Sequence, residues 1–570
     1  MPKDQLKTSQ NSNRDSSKDP NQEIKGVMTF DDSEDDIESK VRFHSFYKAQ
    51  SSSKSKASSK ASSNSKTSSL PRPSQFQRGF VIDKENLYDQ KTEPVKYQLY
   101  NNNQSLFITG KAGTGKSTLL REFVEYCDNN GVNCAVVAPT GIAAINVNGS
   151  TIHSMFQIDV HNPTHLKKLN PAKKTLLKAI DVLIIDEISM VSDQMFELIE
   201  KRMNQAKFGE NPHSKRFGGV RLLIFGDIFQ LGPVNKDGEE EVGYFFEANT
   251  FQSLYQQGNL KLLELNKIWR QDDEEFIEIL NQIRCGTFDQ KSLDKLNSKI
   301  IMDNPQAFAK DNNFSLLCSR NNSATNYNNQ ILYGNTNQEY KFQGELEGEF
   351  NYYDSLPPQE LILKTGCLVV FVKNDSGKRY VNGDFGLVDD FIYRITLVKN
   401  KDVINKEYFS YKGKSKEIKA EIESFQSKGY ELQSASYSIM VELTRTKGKV
   451  EIIRESWQKK SFQTVEKMVE VDGENMIQQR IQDKTIGQYT QFPIKLGYAL
   501  TVHKSQGMTL EGAVLDFGSG TFGSGLVYVA LSRVKSLANL YLTRKLEPQD
   551  IKVDEKVLLF NEIVVDNSLM

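Results

Sequence analysis

The sequence predicts an α/β protein carrying two parallel-sheet domains in tandem. Three observations point there. Short apolar runs alternate with helical stretches from about Gln98 onward, at Leu106–Thr109, Cys134–Ala138, Val182–Asp186 and Leu222–Phe225. A second alternating region begins near Phe314, with runs at Phe314–Cys318 and Leu368–Val372, and resumes at Ala499–His503 and Val527–Leu531. Between its two parts, from about Asp389 to Asp483, lies a charged stretch with β-rich pieces at Phe391–Val398, Tyr437–Leu443 and Lys449–Arg454. That stretch predicts a small β domain inserted into the second sheet domain. The expected division is a tail over 1–88, a first sheet domain over 89–300, a second over 301–388 and 484–570, and the insertion over 389–483.

The tail comes first. It is rich in Ser, Lys, Asn and Gln and cannot bury enough apolar surface to fold alone. An acidic block (Asp31, Asp32, Glu34, Asp35, Asp36, Glu38) precedes a stretch from Lys48 to Arg78 in which every charge is positive. Solvated disorder is the expectation. The basic block suits non-specific DNA tethering or nuclear import, and the acidic block suits an unidentified protein partner. The whole chain of 570 residues carries a net charge of -1, so any nucleic-acid site must be a local patch. Five scattered cysteines, with no C-x-x-C pair, read as buried thiols in a reducing compartment. No apolar run reaches membrane-spanning length, no secretory leader is visible, and acidic residues at 4, 15 and 19 argue against a mitochondrial transit peptide.

Residues 110–118 read Gly-Lys-Ala-Gly-Thr-Gly-Lys-Ser-Thr, between the apolar run Leu106-Phe107-Ile108 and an amphipathic helix expected over Ser117–Tyr126. Strand, glycine-rich loop and helix together form a phosphate loop. Gly110, Lys111, Ala112, Gly113, Thr114, Gly115, Lys116, Ser117 and Thr118 would wrap a triphosphate with backbone N–H groups at the helix start. Lys116 would reach the β/γ-phosphates, and Ser117 would ligate Mg²⁺. The run Leu183-Ile184-Ile185 delivers Asp186 and Glu187 at a strand's C-terminal end, where such folds bind ligands. There Asp186 would hold the Mg²⁺ and Glu187 would polarise the attacking water. A third strand end, Phe225-Gly226-Asp227, leads to Gln230, placed to sense the γ-phosphate. Arg270 and Arg533 are candidates to neutralise transition-state charge. A nucleotide between two such sheets can open and close them with each hydrolysis cycle.

The order of these motifs resembles superfamily 1 helicases. Gly110–Ser117 is followed by Ala138-Pro139-Thr140-Gly141-Ile142-Ala143-Ala144, Thr151-Ile152-His153-Ser154 and Ile185-Asp186-Glu187-Ile188-Ser189-Met190-Val191. Ala499–Gly507 and Tyr528–Arg533 complete the set. Phe217-Gly218-Gly219-Val220 running into Gly226-Asp227-Ile228-Phe229-Gln230-Leu231 is similar to the signature of the petite-integration-frequency (PIF) DNA helicases. The resemblance covers nearly all of residues 100–560. It implies two RecA-like domains, a wedge inserted in the first at about Phe156–Ala179 with Lys167, Lys168, Lys173 and Lys174, and a small β-barrel inserted in the second. It implies ATP- and Mg²⁺-dependent 5′→3′ translocation on single-stranded DNA and unwinding of duplex, forked or structured DNA in replication, repair, recombination or telomere maintenance. By the same resemblance Thr140, Thr151, His153, His503, Lys504, Asn382 and Gly383 line the DNA track. Hydroxyl, imidazole and ammonium groups suit phosphate contacts without base reading. No residue tells DNA from RNA. A nuclear monomer without a membrane partner is the expectation. The rival readings are a translocating ATPase subunit that does not unwind and a degenerate DNA-binding module.

The chain departs from the family in two places. Gln98 and Gln104 match the adenine motif poorly, and Gly232-Pro233 stands where two prolines are usual. His161 and His165 read as a surface loop, because no cysteine or carboxylate partner sits suitably nearby. The absence of an H-x-H pair argues against a fused rolling-circle nuclease. Trp269 and Trp457 are expected to be packing residues.

Overall fold

The computed structural model describes residues 93–567 apart from 160–165, 210–214, 234–241, 302, 354–355, 472–473, 519 and 522. The tail blocks and the His161/His165 pair therefore lie outside the described residues. No described helix is long and apolar enough to cross a membrane.

The first sheet has six strands, all parallel. Across the sheet they run Ser150–Thr151, Cys134–Ala138, Val182–Ile185, Arg221–Phe225, Ser105–Gly110 and Leu260–Leu265. Leu106, Phe107 and Ile108 are fully buried, as are Val182 to Ile185, because helices cover both faces and leave no polar side to alternate with. This order sets the chemistry. The phosphate-loop strand lies beside the strand ending at Phe225, which lies beside the strand ending at Ile185, so three loops open together at one sheet edge. The helix Lys116–Asn129 follows the phosphate loop and buries Leu119, Leu120, Phe123 and Cys127 on its sheet-facing side. It ends at Asn130, before Gly131 in the left-handed region.

The second sheet is also parallel, in the order Ala499–Thr501, Ser315–Cys318, Ala513–Asp516 and Leu540–Leu542. Two sequence expectations fail here. Val527–Leu531 is not a strand but part of a helix, Leu526–Leu531, buried on every side. A short, wholly apolar run has no polar face from which to read a period. Leu368–Phe371 is a strand, but it pairs antiparallel with Phe385–Lys399 and Ile494–Leu496 rather than joining the parallel sheet. That antiparallel sheet continues through Glu431–Leu443 to Lys449–Ile452, with Asp402–Phe409 also on Phe385–Lys399. It closes over a core of Phe342, Leu363, Phe371, Phe391, Ile439, Val441, Phe492 and Ile494.

A long hairpin, Glu455–Val471 with Glu474–Gln491, crosses back to the first sheet. Asn133 donates its Nδ2 to the carbonyl of Gln479 at 3.1 Å and accepts from the N–H of Ile481 at 3.0 Å. Trp457 and Tyr489 of the hairpin pack with Phe350 and Leu356 against Ile142 and Ile145, so Trp457 is a packing residue as expected. The last described helix, Glu555–Asn567, also returns to the first sheet and stacks Phe560 on Phe246 and Phe107. In the wedge region the helix Pro171–Ala179 starts at Asn170, whose side chain caps the N–H of Lys173 at 2.7 Å. Lys167, Lys168 and Lys174 are exposed, whereas the Nζ of Lys173 is buried.

Candidate nucleotide and nucleic-acid sites

The phosphate loop takes its shape from three glycines with positive φ: Gly110, Gly113 and Gly115. A Cβ on Gly113 would lie 2.5 Å from the Cβ of Arg270, so only glycine admits the arginine's approach. Thr114 ties the loop by donating its hydroxyl to the carbonyl of Lys111 at 2.9 Å. Lys116 turns its ammonium back onto the carbonyls of Gly110 and Lys111, at 2.6 and 3.0 Å. Burial pulls its pKa down. Ser117 and Thr118 are exposed at the helix start.

Two loops along, Asp186 is 6 % exposed and its carboxyl is pushed up to about 7, by burial first and the Glu187 charge second. Glu187 sits in the left-handed region at φ 51, a conformation that costs a non-glycine residue about 1–3 kcal/mol and clusters at functional sites. Burial also raises its pKa. Between these two loops lies Asp227, fully buried. Burial alone would push its carboxyl up, but Arg284, Lys116 and the Tyr528 hydroxyl outweigh it and hold it below the usual range. Arg284 is 3.4 Å from Asp227 and lies flat over Phe229 at 4.1 Å. Gln230 donates to Asp227 at 3.3 Å and accepts from Gln506 of the second half at 3.3 Å. Gln506 also stands 3.5 Å from Glu187.

Both arginines reach this cleft. Arg270 donates to the carbonyl of Ser532 at 3.2 Å. Arg533 is 1 % exposed, and burial together with the nearby Arg270 charge pulls its pKa down to about 9. The neighbouring Gln271 bonds the carbonyls of Ser532 and Val534, both at 3.2 Å. All five residues expected to act on the triphosphate, Lys116, Glu187, Gln230, Arg270 and Arg533, thus line one cleft between the two halves, with Asp186 at its edge.

Arg284 lies in no motif read from the sequence, and Asp227, Gln506 and Tyr528 lie inside such motifs with no role assigned to them. They lie far apart along the chain and meet where strand ends and the helices Glu274–Cys285 and Leu526–Leu531 converge. Trp269 reverses an expectation. Its side chain is exposed (69 % for the residue), its backbone N–H donates to the carbonyl of Gly113 at 2.9 Å, and Lys267 lies over its ring at 3.9 Å. It stands at the mouth of the phosphate loop and packs nothing away. Gln98 and Gln104 are elsewhere: Gln98 is buried against Lys261 and Arg221, and Gln104 bonds the carbonyl of Gly258.

The expected DNA-track residues form separate groups. Thr140 follows one strand and Thr151 ends its neighbour, and each hydroxyl oxygen caps a short helix, accepting from Ala143 and Ser154 at 3.2 Å. His153 lies in the second of these helices, and burial lowers its pKa. In the second half His503 and Lys504 line a cavity of about 530 Å³ with Thr501, Ser319, Arg320, Asn321 and Asn322. Burial lowers the His503 pKa too. Arg320 immediately precedes the helix Asn321–Gly334, which Asn321 and Asn322 begin, and sequence reasoning missed all three. Asn382 accepts no hydrogen bond at its buried Oδ1, and its N–H donates to Asn374 at 2.8 Å. Gly383 has φ 99, and a Cβ there would lie 2.5 Å from the carbonyl of Thr509.

Two parallel sheets with a phosphate loop on one and arginines in the cleft between them define a nucleotide-driven motor ATPase. The sequence model of the PIF1-like helicase family matches residues 82–294. The ATP-dependent DNA helicase Pif1 of Campylobacter jejuni is 27 % identical over 485 residues, covering 80 % of this chain and 94 % of its own length. The ATP-dependent DNA helicase PIF1 of Saccharomyces cerevisiae is 28 % identical over 526 residues, covering 81 % of this chain but 60 % of its own length. The crystal structure of Bacteroides sp Pif1 in complex with ADP-AlF4 superposes with a TM-score of 0.62 at 28 % identity, covering 81 % of this chain and 94 % of that one. Over these stretches the chain is similar to the PIF1-like helicases.

Proposed function

We propose that this chain is an ATP-dependent DNA helicase that moves 5′→3′ along single-stranded DNA and opens duplex or forked DNA ahead of it. One observation carries the reading. Phosphate loop, paired carboxylates, sensing glutamine and two arginines converge on a cleft whose walls come from both sheets. Such a cleft couples hydrolysis to relative movement of the halves.

Each residue's role follows from its chemistry. Lys116 exchanges its two carbonyl partners for β/γ-phosphate oxygens. Ser117 and Asp186 form an oxygen-only donor set that fits a hard divalent cation, and a buried carboxylate needs such a countercharge. They are the residues to hold Mg²⁺, which when bound supplies charge neutralisation between the phosphates. Glu187 orients and polarises the attacking water, while Arg270 and Arg533 meet charge that develops in the transition state. Trp269 offers an exposed aromatic face at the loop's mouth for the nucleobase. Thr140, Thr151, His153, His503, Lys504, Asn382 and Gly383 carry the nucleic acid by its backbone, and Arg320 joins them. Gln506, three residues beyond His503, links that track to Glu187.

The antiparallel sheet and the long hairpin act as an insertion in the second domain and reach beyond the expected bounds of 389 and 483, which fall inside the strands Phe385–Lys399 and Glu474–Gln491, and about 156–179 form the wedge of the first domain, 89–300. The basic block of the 1–88 tail supports a nuclear location, and the acidic block suits a basic protein partner. The protein works as a monomer. Unwinding of a 5′-tailed against a 3′-tailed duplex, with ATP and Mg²⁺, tests the reading. Opening of the 5′-tailed substrate alone is expected. Preference for the 3′ tail overturns the polarity, and DNA-stimulated hydrolysis without unwinding of either leaves a translocase. An RNA-tailed substrate run alongside measures DNA preference.

A further inference from the structure

We propose that Tyr528 is a positioning residue of the hydrolytic site, its hydroxyl locking the helix that leads to Arg533 onto the phosphate loop. The inference rests on the ATP-site reading above. Tyr528 lies on the buried helix Leu526–Leu531 of the second half. Its hydroxyl accepts from the N–H of Ala112 in the phosphate loop at 2.9 Å and donates to Oδ2 of Asp227 at 3.0 Å. Asp227 is in turn held by Arg284 and touched by Gln230. One phenol therefore joins the phosphate loop, the sensing strand end and the element that delivers the arginine.

A second observation points the same way. Gly525, just before the helix, has φ 77, and a Cβ there would lie 2.5 Å from the carbonyl of Phe229. The helix start is thus pressed against the backbone that carries Gln230. Burial and the Asp227 charge push the Tyr528 pKa far above the phenol's usual value, so the hydroxyl keeps its proton and remains a donor.

The consequence is specific to the closed cleft. When the halves separate, water can replace the hydroxyl at Ala112 and Asp227. When they close without it, the buried N–H of Ala112 loses its partner and Oδ2 of Asp227 is left with Gln230 alone. The hydroxyl therefore favours closure, and with it the approach of Arg533, rather than the first encounter with ATP.

Tyr528→Phe keeps the ring and removes this link. The expected result is a KM for ATP within about two-fold of the parent, a DNA-stimulated kcat lower by roughly ten-fold, and a smaller stimulation by single-stranded DNA. Amide exchange in the segment containing Ala112 should quicken. Combined with Asp227→Asn, the variant should lose less than the product of the two single losses, because the Tyr528–Asp227 contact is common to both. Parental kcat and DNA stimulation in Tyr528→Phe, losses that multiply in the double variant, or a collapse of the thermal midpoint that marks plain packing would each overturn the proposal. Lys116→Ala, assayed alongside, keeps the two readings apart. If it still hydrolyses ATP, the site itself is misread; if it is dead while Tyr528→Phe is normal, only the positioning role falls.

Discussion

Arg533 donates its Nε–H to the carbonyl of Val529, 2.8 Å away, so its guanidinium is folded back toward the helix before it. A second donor is held by the hydroxyl of Ser532 at 2.7 Å. The charge is thus parked close to the phosphate loop and must turn outward to meet a γ-phosphate. Arg533→Ala should therefore lower kcat by about 10³-fold, the scale of a lost transition-state arginine, while ATP affinity changes little. Arg270→Ala should lose more ATP affinity, because Arg270 already packs against Gly113. Normal DNA-stimulated hydrolysis in both variants would defeat the two-domain scheme.

Glu187→Gln keeps the size and the contact to Gln506 but cannot take on the water's developing charge. It should bind ATP and DNA normally and turn over about 10³-fold more slowly. Single-turnover hydrolysis with an independent nucleotide-binding assay checks this, and near-parental turnover would mean that the water is activated elsewhere.

What the sequence disclosed was what lies close along the chain. The phosphate loop and the strand ending in Asp186-Glu187 each occupy one short stretch, and their neighbours on the sheet follow from strand order. Arg284 looks ordinary in its own segment, and the motifs that contain Gln506 and Tyr528 do not say which partners those two side chains meet. Only the fold brings them to Asp227 and Gln230. Trp269 misled for another reason: a tryptophan is normally worth burying, and nothing in its local sequence says that it stands open over a phosphate loop. Val527–Leu531 reads as a strand in the sequence but folds as part of the helix Leu526–Leu531, because burial on all sides erases the periodicity that separates the two.

The Asp186 carboxyl gives a pH signature. Its pKa is raised to about 7 in the nucleotide-free fold, against 3.8 ordinarily. The folded protein thus holds this proton more tightly than the unfolded chain. The stability it contributes is fully present below about pH 3.8 and is lost as pH rises through about 7. Mg²⁺ needs the carboxylate, so Mg²⁺-ATP affinity should climb through the same upper window. Calorimetric titration between about pH 6 and pH 8 checks this, and Asp186→Asn should flatten the profile. A flat profile in the parent would place the cation elsewhere.

Trp269→Ala should raise the KM for ATP several-fold with a smaller effect on kcat, because stacking on the base contributes to the ground state. Phe at this position should restore most of the affinity. Comparing ATP with a pyrimidine triphosphate gives the sharper test. The parent should prefer the purine, and the alanine variant should lose that preference, since a larger ring system gains more from stacking. Unchanged KM and unchanged base preference would return Trp269 to a role outside nucleotide binding.

Single-stranded DNA should bind through phosphates, so affinity should fall steeply with salt and vary little with base sequence. Arg320 and Lys504 line one cavity beside Thr501 and His503, at the C-terminal ends of adjacent parallel strands. Each should neutralise one phosphate. Removing either should weaken binding at low salt and make the slope of log K against log salt shallower by about 0.7, the counterion release per single-strand phosphate. Arg320→Ala is the more telling variant, because Arg320 immediately precedes the helix Asn321–Gly334 and no expectation from sequence pointed to it. Hydrolysis without DNA should stay at the parental rate in that variant, while the DNA concentration for half-maximal stimulation rises. A variant that binds with the parental slope would move the track away from this cavity and leave Thr140, Thr151 and His153 to carry the strand.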